Sequence, residues 1–213
     1  MSAPKTPSDM VVRPPPCLQN GYITFGSYQQ ATKITRRVLA VWAKVMQAVP
    51  HSRLRLQTAA VDAPSMRDRL VRDLQQAGID QSRVTMLGSS KLEPYLESHQ
   101  EVDILLDTFP YPGGTTTAFA LWMGVPTITL AGNTMLSRQG ASMLQCVGLT
   151  DWIAQSESEY VNISLRMASD QQALAALRAE LRERALKSPL FDAKNFARDF
   201  QTALFRMSKR TDS

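Results

Sequence analysis

Residues 102–126, VDILLDTFPYPGGTTTAFALWMGVP, place an apolar run, a glycine-rich loop and a second apolar stretch in direct succession. The run at 104–106 predicts a strand buried on both faces, and residues 118–123 predict a buried helix. Such a strand, loop and helix form a typical anion site, because the backbone can approach a phosphate and the first helical N–H groups are unpaired. The hydroxyl groups of Thr115 and Thr116 add donors there. The alternative is an ordinary β–α turn with threonine caps.

Strand and helix signals alternate along the rest of the chain. Thr35 is placed to cap one helix, and Pro64 is placed to start another. Beyond residue 130 helices are predicted, and we expect every apolar stripe to be core, including that of Phe196, Phe200 and Leu204. Strands are predicted at residues 22–25, 54–56, 84–88, 104–106 and 127–130. This alternation predicts an α/β fold with a doubly wound parallel sheet and right-handed crossovers.

The composition limits the function classes. Hydrophobic residues make up 44% and charged residues 20% of the chain, as in globular domains, and no apolar run approaches the ~20 residues of a membrane span. The N-terminus lacks the pattern of a secretory signal, so we expect a cytoplasmic protein. Two cysteines and two histidines are too few for a disulfide framework or a histidine-rich metal site. The +5 charge is not interleaved with aromatic residues, which favours a diphosphate partner over nucleic acid.

The ends of the chain differ in character from its middle. Residues 1–19 are polar and proline-rich, which predicts a tail or linker. Residues 20–208 are predicted to form one domain that includes the C-terminal helices, and residues 209–213 a second tail.

Four motifs follow one another between residues 21 and 205: ITFGSYQQATKIT, LDTFPYPGGTTTAFALWMGVPTITLAG, SRQGASMLQCVGLTDWIA and SPLFDAKNF. In this order they resemble the C-terminal catalytic half of protein O-GlcNAc transferases of the SPINDLY-like family. The resemblance implies a Rossmann-like domain, the second of the two in the GT-B arrangement, with a first domain and tetratricopeptide repeats as missing partners. It also implies metal-independent transfer of N-acetylglucosamine from UDP-GlcNAc, or a related UDP-sugar, to serine or threonine hydroxyls of proteins.

The resemblance assigns roles to individual residues. Lys33 and Gln30 match the family's Q-x-x-K, in which the lysine would be catalytic by offsetting charge on the departing UDP. Without that context Lys33 would be a solvated lysine ahead of a helix. The loop residues would hold the donor phosphates through backbone and hydroxyl donors, namely Gly113, Gly114, Thr115 and Thr116. The uracil pocket would be lined by Ser90, Lys91 and Tyr95.

The chain departs from the family at three positions. Gly114 stands where animal members have a histidine, and the histidine expected near Tyr95 is absent. Phe119 stands where the family has an acidic residue for the ribose hydroxyls, and a phenyl ring cannot accept their hydrogen bonds.

Two function hypotheses from different classes therefore stand side by side. The first is the donor-binding half of a glycosyltransferase, which we expect to be incomplete and inactive as a lone chain; Lys33 and the intact glycine–threonine loop favour it. The second is a non-catalytic binding or interaction module, which Phe119 favours. A nicotinamide-dependent dehydrogenase would need G-x-G-x-x-G after the first strand, which residues 26–28 do not supply.

Overall fold

A computed structural model describes residues 9–209 of the chain. Its centre is a six-stranded sheet of parallel strands in the order β3-β2-β1-β4-β5-β6. The strands are β1 (Thr24–Ser27), β2 (Arg53–Gln57), β3 (Val84–Leu87), β4 (Ile104–Leu106), β5 (Thr127–Leu130) and β6 (Ile153–Ala154). The predicted α/β doubly wound sheet is confirmed, with the first strand starting two residues later than expected and β6 added at the edge.

Nine α-helices within residues 9–209 pack on or beside this sheet. They are α1 (Cys17–Asn20), α2 (Arg36–Ala48), α3 (Pro64–Gln76), α4 (Leu92–Glu97), α5 (Thr115–Trp122), α6 (Gln139–Cys146), α7 (Glu157–Ser169), α8 (Gln171–Leu186) and α9 (Ala193–Ser208). The predicted starts of two helices are confirmed. The Thr35 hydroxyl accepts from the Val38 N–H at the start of α2, and Pro64 occupies the first turn of α3.

The strand order indicates which edge of the sheet would bind a ligand. The chain moves outward from β1 to β2 and β3 and then crosses to β4 on the other side of β1. In open parallel sheets, ligands bind at the carboxyl ends of the strands beside such a switch point. The loops that follow β1 and β4 meet there.

The part of the N-terminal segment that is described packs against the domain instead of forming a tail. Residues 1–8 and 210–213 lie outside the described residues, but Met10 and Cys17 are buried. The Nε of Arg178 donates to the Arg13 carbonyl at 2.8 Å, and Arg182 donates to the Met10 carbonyl. The proline-rich composition could not predict these contacts, because the arginines that donate to the segment's carbonyl groups lie on α8, more than 150 residues away.

The prediction that the apolar stripe of the last helix is part of the core is wrong. Helix α9 has no buried residue, and its stripe is open, with Phe196, Phe200 and Leu204 exposed by 68, 55 and 50%. The amphipathic period was identified correctly, but no element of the described chain covers the apolar face.

No helix within residues 9–209 is both long enough and apolar enough to cross a bilayer.

Candidate functional site

A cleft of about 400 Å³ lies at the switch point between β1 and β4. Larger concavities of about 620 and 440 Å³ lie elsewhere, one at the amino edge of β2 and one between α2 and α3. We take the smaller cleft as the candidate site because it joins the two loops that parallel sheets use for ligands. It is lined by Tyr28, Gln29, Gln30, Lys33, Tyr95, Tyr111, Gly114, Thr115, Thr116, Phe119 and Gln139.

The start of α5 forms one wall of the cleft. Gly114 is its N-cap, and a glycine has no side chain that could bond the first-turn N–H groups. The Ala118 N–H donates to the Gly114 carbonyl in the first backbone hydrogen bond of the helix. The N–H groups of the first turn thus have no partner within the helix and, with the cleft-lining Thr115 and Thr116, form the kind of helix N-terminus that binds anions. Gly114 leaves room for Gln139, since a Cβ there would lie 3.0 Å from its Nε2.

Gly113 has a different role from the one the sequence predicts. Its N–H donates to Asp107 Oδ1 at 2.8 Å, and the residue is buried away from the cleft lining. A Cβ at this position would lie 2.3 Å from Gln29 Nε2 and 2.8 Å from Thr117 Oγ1. Gly113 therefore allows close packing behind the phosphate loop and does not offer its N–H to a ligand.

Asp107 is the buried centre behind this loop, and the sequence analysis assigned it no role. Its Oδ1 accepts from the Thr108 and Gly113 N–H groups and from Gln29, and its Oδ2 accepts from the Thr129 hydroxyl at 2.8 Å. Burial raises the pKa of Asp107 to about 6, although these donors and the Lys33 charge oppose the rise. An acid directly after a buried strand and six residues before a glycine was the available signal.

Lys33 extends into the cleft from the short 3₁₀ turn after β1. Its Nζ donates to the Pro112 carbonyl at 3.1 Å and to Gln29 Oε1 at 3.4 Å. It also lies 4.4 Å from the centroid of the Tyr111 ring, a cation–π distance. Partial burial lowers the pKa of Lys33, and the nearby Asp107 carboxylate opposes this. The ammonium is thus held beside the amino end of α5.

Aromatic side chains form the outer wall. The Tyr95 ring packs edge-on against Phe119 at a centroid distance of 6.0 Å and against Tyr28 at 5.3 Å. Tyr28 in turn stacks on the buried His99 at 4.0 Å. Phe119 is only partly buried and lines the cleft, so it presents an apolar ring to any ligand there.

The predicted site residues are only partly brought together. Gln30, Lys33, Tyr95, Gly114 and the two threonines line the cleft. Ser90 and Lys91 do not: they are exposed in the loop between β3 and α4, where the Ser90 hydroxyl bonds the Lys91 carbonyl at 2.9 Å. Cleft residues that sequence reasoning missed are Tyr28, Gln29, Tyr111 and Gln139.

Residues 9–209 contain no group of three or more histidine, cysteine or carboxylate side chains arranged to hold a metal ion.

Sequence comparison identifies the family. Residues 2–200 match the sequence pattern of glycosyl transferase family 41. The chain belongs to this family. A tomato relative, "Probable UDP-N-acetylglucosamine--peptide N-acetylglucosaminyltransferase SPINDLY", is 42% identical over 200 residues, covering 93% of this chain and 22% of the relative. A UDP-N-acetylglucosamine–peptide N-acetylglucosaminyltransferase from Caenorhabditis elegans is 31% identical, over 92% of this chain and 17% of the relative. The chain thus spans about a fifth of the length of these relatives.

Solved structures agree with the family 41 assignment. An O-GlcNAc transferase from Thermobaculum terrenum superposes with a TM-score of 0.82 at 35% identity, over 88% of this chain and 36% of that one. Anabaena HepE in complex with UDP and glucose superposes with a TM-score of 0.59 at 18% identity, over 89% and 51%, which is a likeness of fold alone. The predicted resemblance and the Rossmann-like GT-B fold are confirmed.

Proposed function

We propose that this chain binds the diphosphate of a UDP-sugar and forms the donor half of a protein N-acetylglucosaminyltransferase. The observation that carries the proposal is the convergence of Lys33 with the amino end of α5 in one cleft at the strand switch point. The printed names of the family 41 relatives, which specify UDP-N-acetylglucosamine and peptide acceptors, support the choice of donor and acceptor.

The geometry suits stabilisation of a leaving diphosphate. Sugar transfer leaves negative charge on the departing UDP, and fixed positive groups near that charge lower the barrier. Here Lys33 lines the same cleft as Thr115 and Thr116 in the first turn of α5. These groups would supply the charge compensation themselves, so we propose a donor half that needs no metal ion and expect UDP binding to persist in EDTA.

A non-catalytic binding module is the second candidate. Phe119 favours it, because a partly exposed phenyl ring in the cleft cannot accept a hydrogen bond from a sugar hydroxyl.

Calorimetry with UDP on the purified chain tests the first proposal. We expect weak binding that Lys33→Ala weakens further without abolishing it. The matched control is Lys44→Ala, which removes an exposed lysine of α2 that does not line the cleft. Absence of heat at millimolar UDP with folded protein, or equal affinity of the two lysine variants, would refute donor binding at this site.

A further inference from the structure

Gln29 lies between the charged groups of the cleft. It follows β1 by two residues and is only 6% exposed. Its Nε2 donates to Asp107 Oδ1 at 3.2 Å, and its Oε1 accepts from Lys33 Nζ at 3.4 Å. The amide of Gln29 is therefore bonded at both ends: its nitrogen donates to the buried Asp107 carboxylate, and its oxygen accepts from the Lys33 ammonium.

The surroundings determine which way this amide faces. An ionised carboxylate only accepts hydrogen bonds, so the amide nitrogen must face Asp107 and the amide oxygen must face Lys33. Asp107 cannot turn to follow Gln29, because the Thr108 and Gly113 N–H groups and the Thr129 hydroxyl also hold it. The orientation of Gln29 is therefore imposed from the core.

Packing holds the same side chain in place. Gln29 Nε2 lies so close to Gly113 that a Cβ there would approach it to 2.3 Å. The loop after β1, which carries Lys33, is thereby fixed against the loop that leads into α5. The Pro112 carbonyl, 3.1 Å from Lys33 Nζ, gives the ammonium its second fixed acceptor.

We propose that Gln29 is a positioning residue: it transmits the fixed geometry of Asp107 to Lys33 and holds the ammonium where a diphosphate would bind at the start of α5. Gln29 acts on the ligand through Lys33 and not by its own contact. This inference rests on the proposed donor-binding function.

A double-mutant cycle tests it, because a residue that acts only through Lys33 loses its effect when Lys33 is removed. The variants are Gln29→Met, Lys33→Ala and the double variant, and the readout is the Kd for UDP by calorimetry. We expect Gln29→Met to weaken UDP binding about tenfold, or about 1.4 kcal/mol. In the Lys33→Ala background we expect less than about a twofold change.

The control is Gln57→Met. Gln57 is a buried glutamine at the end of β2 that accepts a hydrogen bond from Ser98 and does not line the cleft. We expect it to leave the Kd for UDP unchanged. If Gln29→Met lowers the melting temperature far more than Gln57→Met, then Gln29→Ala, which adds no bulk, replaces it in the cycle.

The outcomes separate the two proposals. Tenfold losses in both backgrounds would show that Gln29 acts independently of Lys33 and would overturn its positioning role. Unchanged affinity of Gln29→Met, with Lys33→Ala impaired, would overturn that role and leave donor binding intact. Absence of UDP binding by the folded wild-type chain would overturn both.

Discussion

Replacing Phe119 with aspartate tests how the aromatic outer wall of the cleft affects the affinity for a nucleoside diphosphate. Phe119 follows Thr115 by four residues on α5, so its side chain lies one helical turn, roughly 6 Å, along the axis from the phosphate-facing end. It lines the cleft and packs edge-on against Tyr95. The family resemblance predicts an acidic residue for the ribose hydroxyls at this position. We expect Phe119→Asp to tighten UDP binding and to lower stability.

The magnitude follows from three opposing terms. A hydrogen bond from a ribose hydroxyl to a carboxylate contributes about 1.5–3 kcal/mol. Repulsion between that carboxylate and a phosphate charge roughly 6 Å away costs about 0.7 kcal/mol in water-like surroundings. The net gain is about 1–2 kcal/mol, or roughly five- to thirtyfold in Kd. Loss of the ring pair with Tyr95 costs the fold about 0.5–1.5 kcal/mol beyond the area it buries.

Calorimetry with UDP and with 2′-deoxy-UDP, alongside thermal melting, measures these terms separately. The gain must be larger for UDP than for the deoxy ligand, because only UDP carries the 2′-hydroxyl in addition to the 3′-hydroxyl. Phe119→Leu is the control that removes the aromatic ring without adding an acceptor. A lower melting temperature with no gain for UDP would refute the reasoning and show that the position has become core.

Three further predictions follow from the same contacts. Because burial raises the folded-state pKa of Asp107 to about 6, its contribution to stability is fully present below the unfolded value of about 3.9 and is lost as pH rises through 6. In urea denaturation, the free energy of unfolding should fall between pH 4 and pH 7 by about 2 kcal/mol more in the wild type than in Asp107→Asn. Phe200→Ser on the exposed face of α9 should change the free energy of unfolding by less than about 1 kcal/mol, whereas Trp42→Ala in the core should cost about 3–5 kcal/mol in the same assay. The lone chain should transfer no sugar from radiolabelled UDP-GlcNAc to protein substrates, because residues 9–209 form one domain and the GT-B arrangement positions donor and acceptor between two; labelling that Lys33→Ala abolishes would contradict this.

The fold could be predicted where the sequence carries local signals. Alternating apolar segments predicted five of the strands, and Thr35 and Pro64 marked helix starts that the structure confirms. Strand β6 was missed because it has two residues and depends on its pairing with β5. The apolar period of α9 predicted a helix correctly, but periodicity gives no information on whether a partner surface is present.

Local sequence patterns alone could predict the site only where its residues are close in sequence, whereas Gln30, Lys33 and Tyr95 were predicted from the family resemblance. Thr115 and Thr116 follow a glycine loop directly, which is a local signal for an anion site. Gln29 and Asp107 are 78 residues apart and meet because β1 and β4 are neighbours in the sheet. Before that strand order is known, the contact between Gln29 and Asp107 cannot be predicted.

The cleft divides into two halves with different chemistry. In the inner half, Lys33 and the amino end of α5 present positive charge, and the Asp107 carboxylate is buried behind the loop with four donors directed at it. In the outer half, Tyr95 and Phe119 present ring surfaces. Charge on the inner side would determine whether a diphosphate binds, whereas the outer side would determine which nucleoside or sugar is tolerated. Additive effects of Lys33→Ala and Phe119→Leu on UDP affinity would show that the two halves bind the ligand independently.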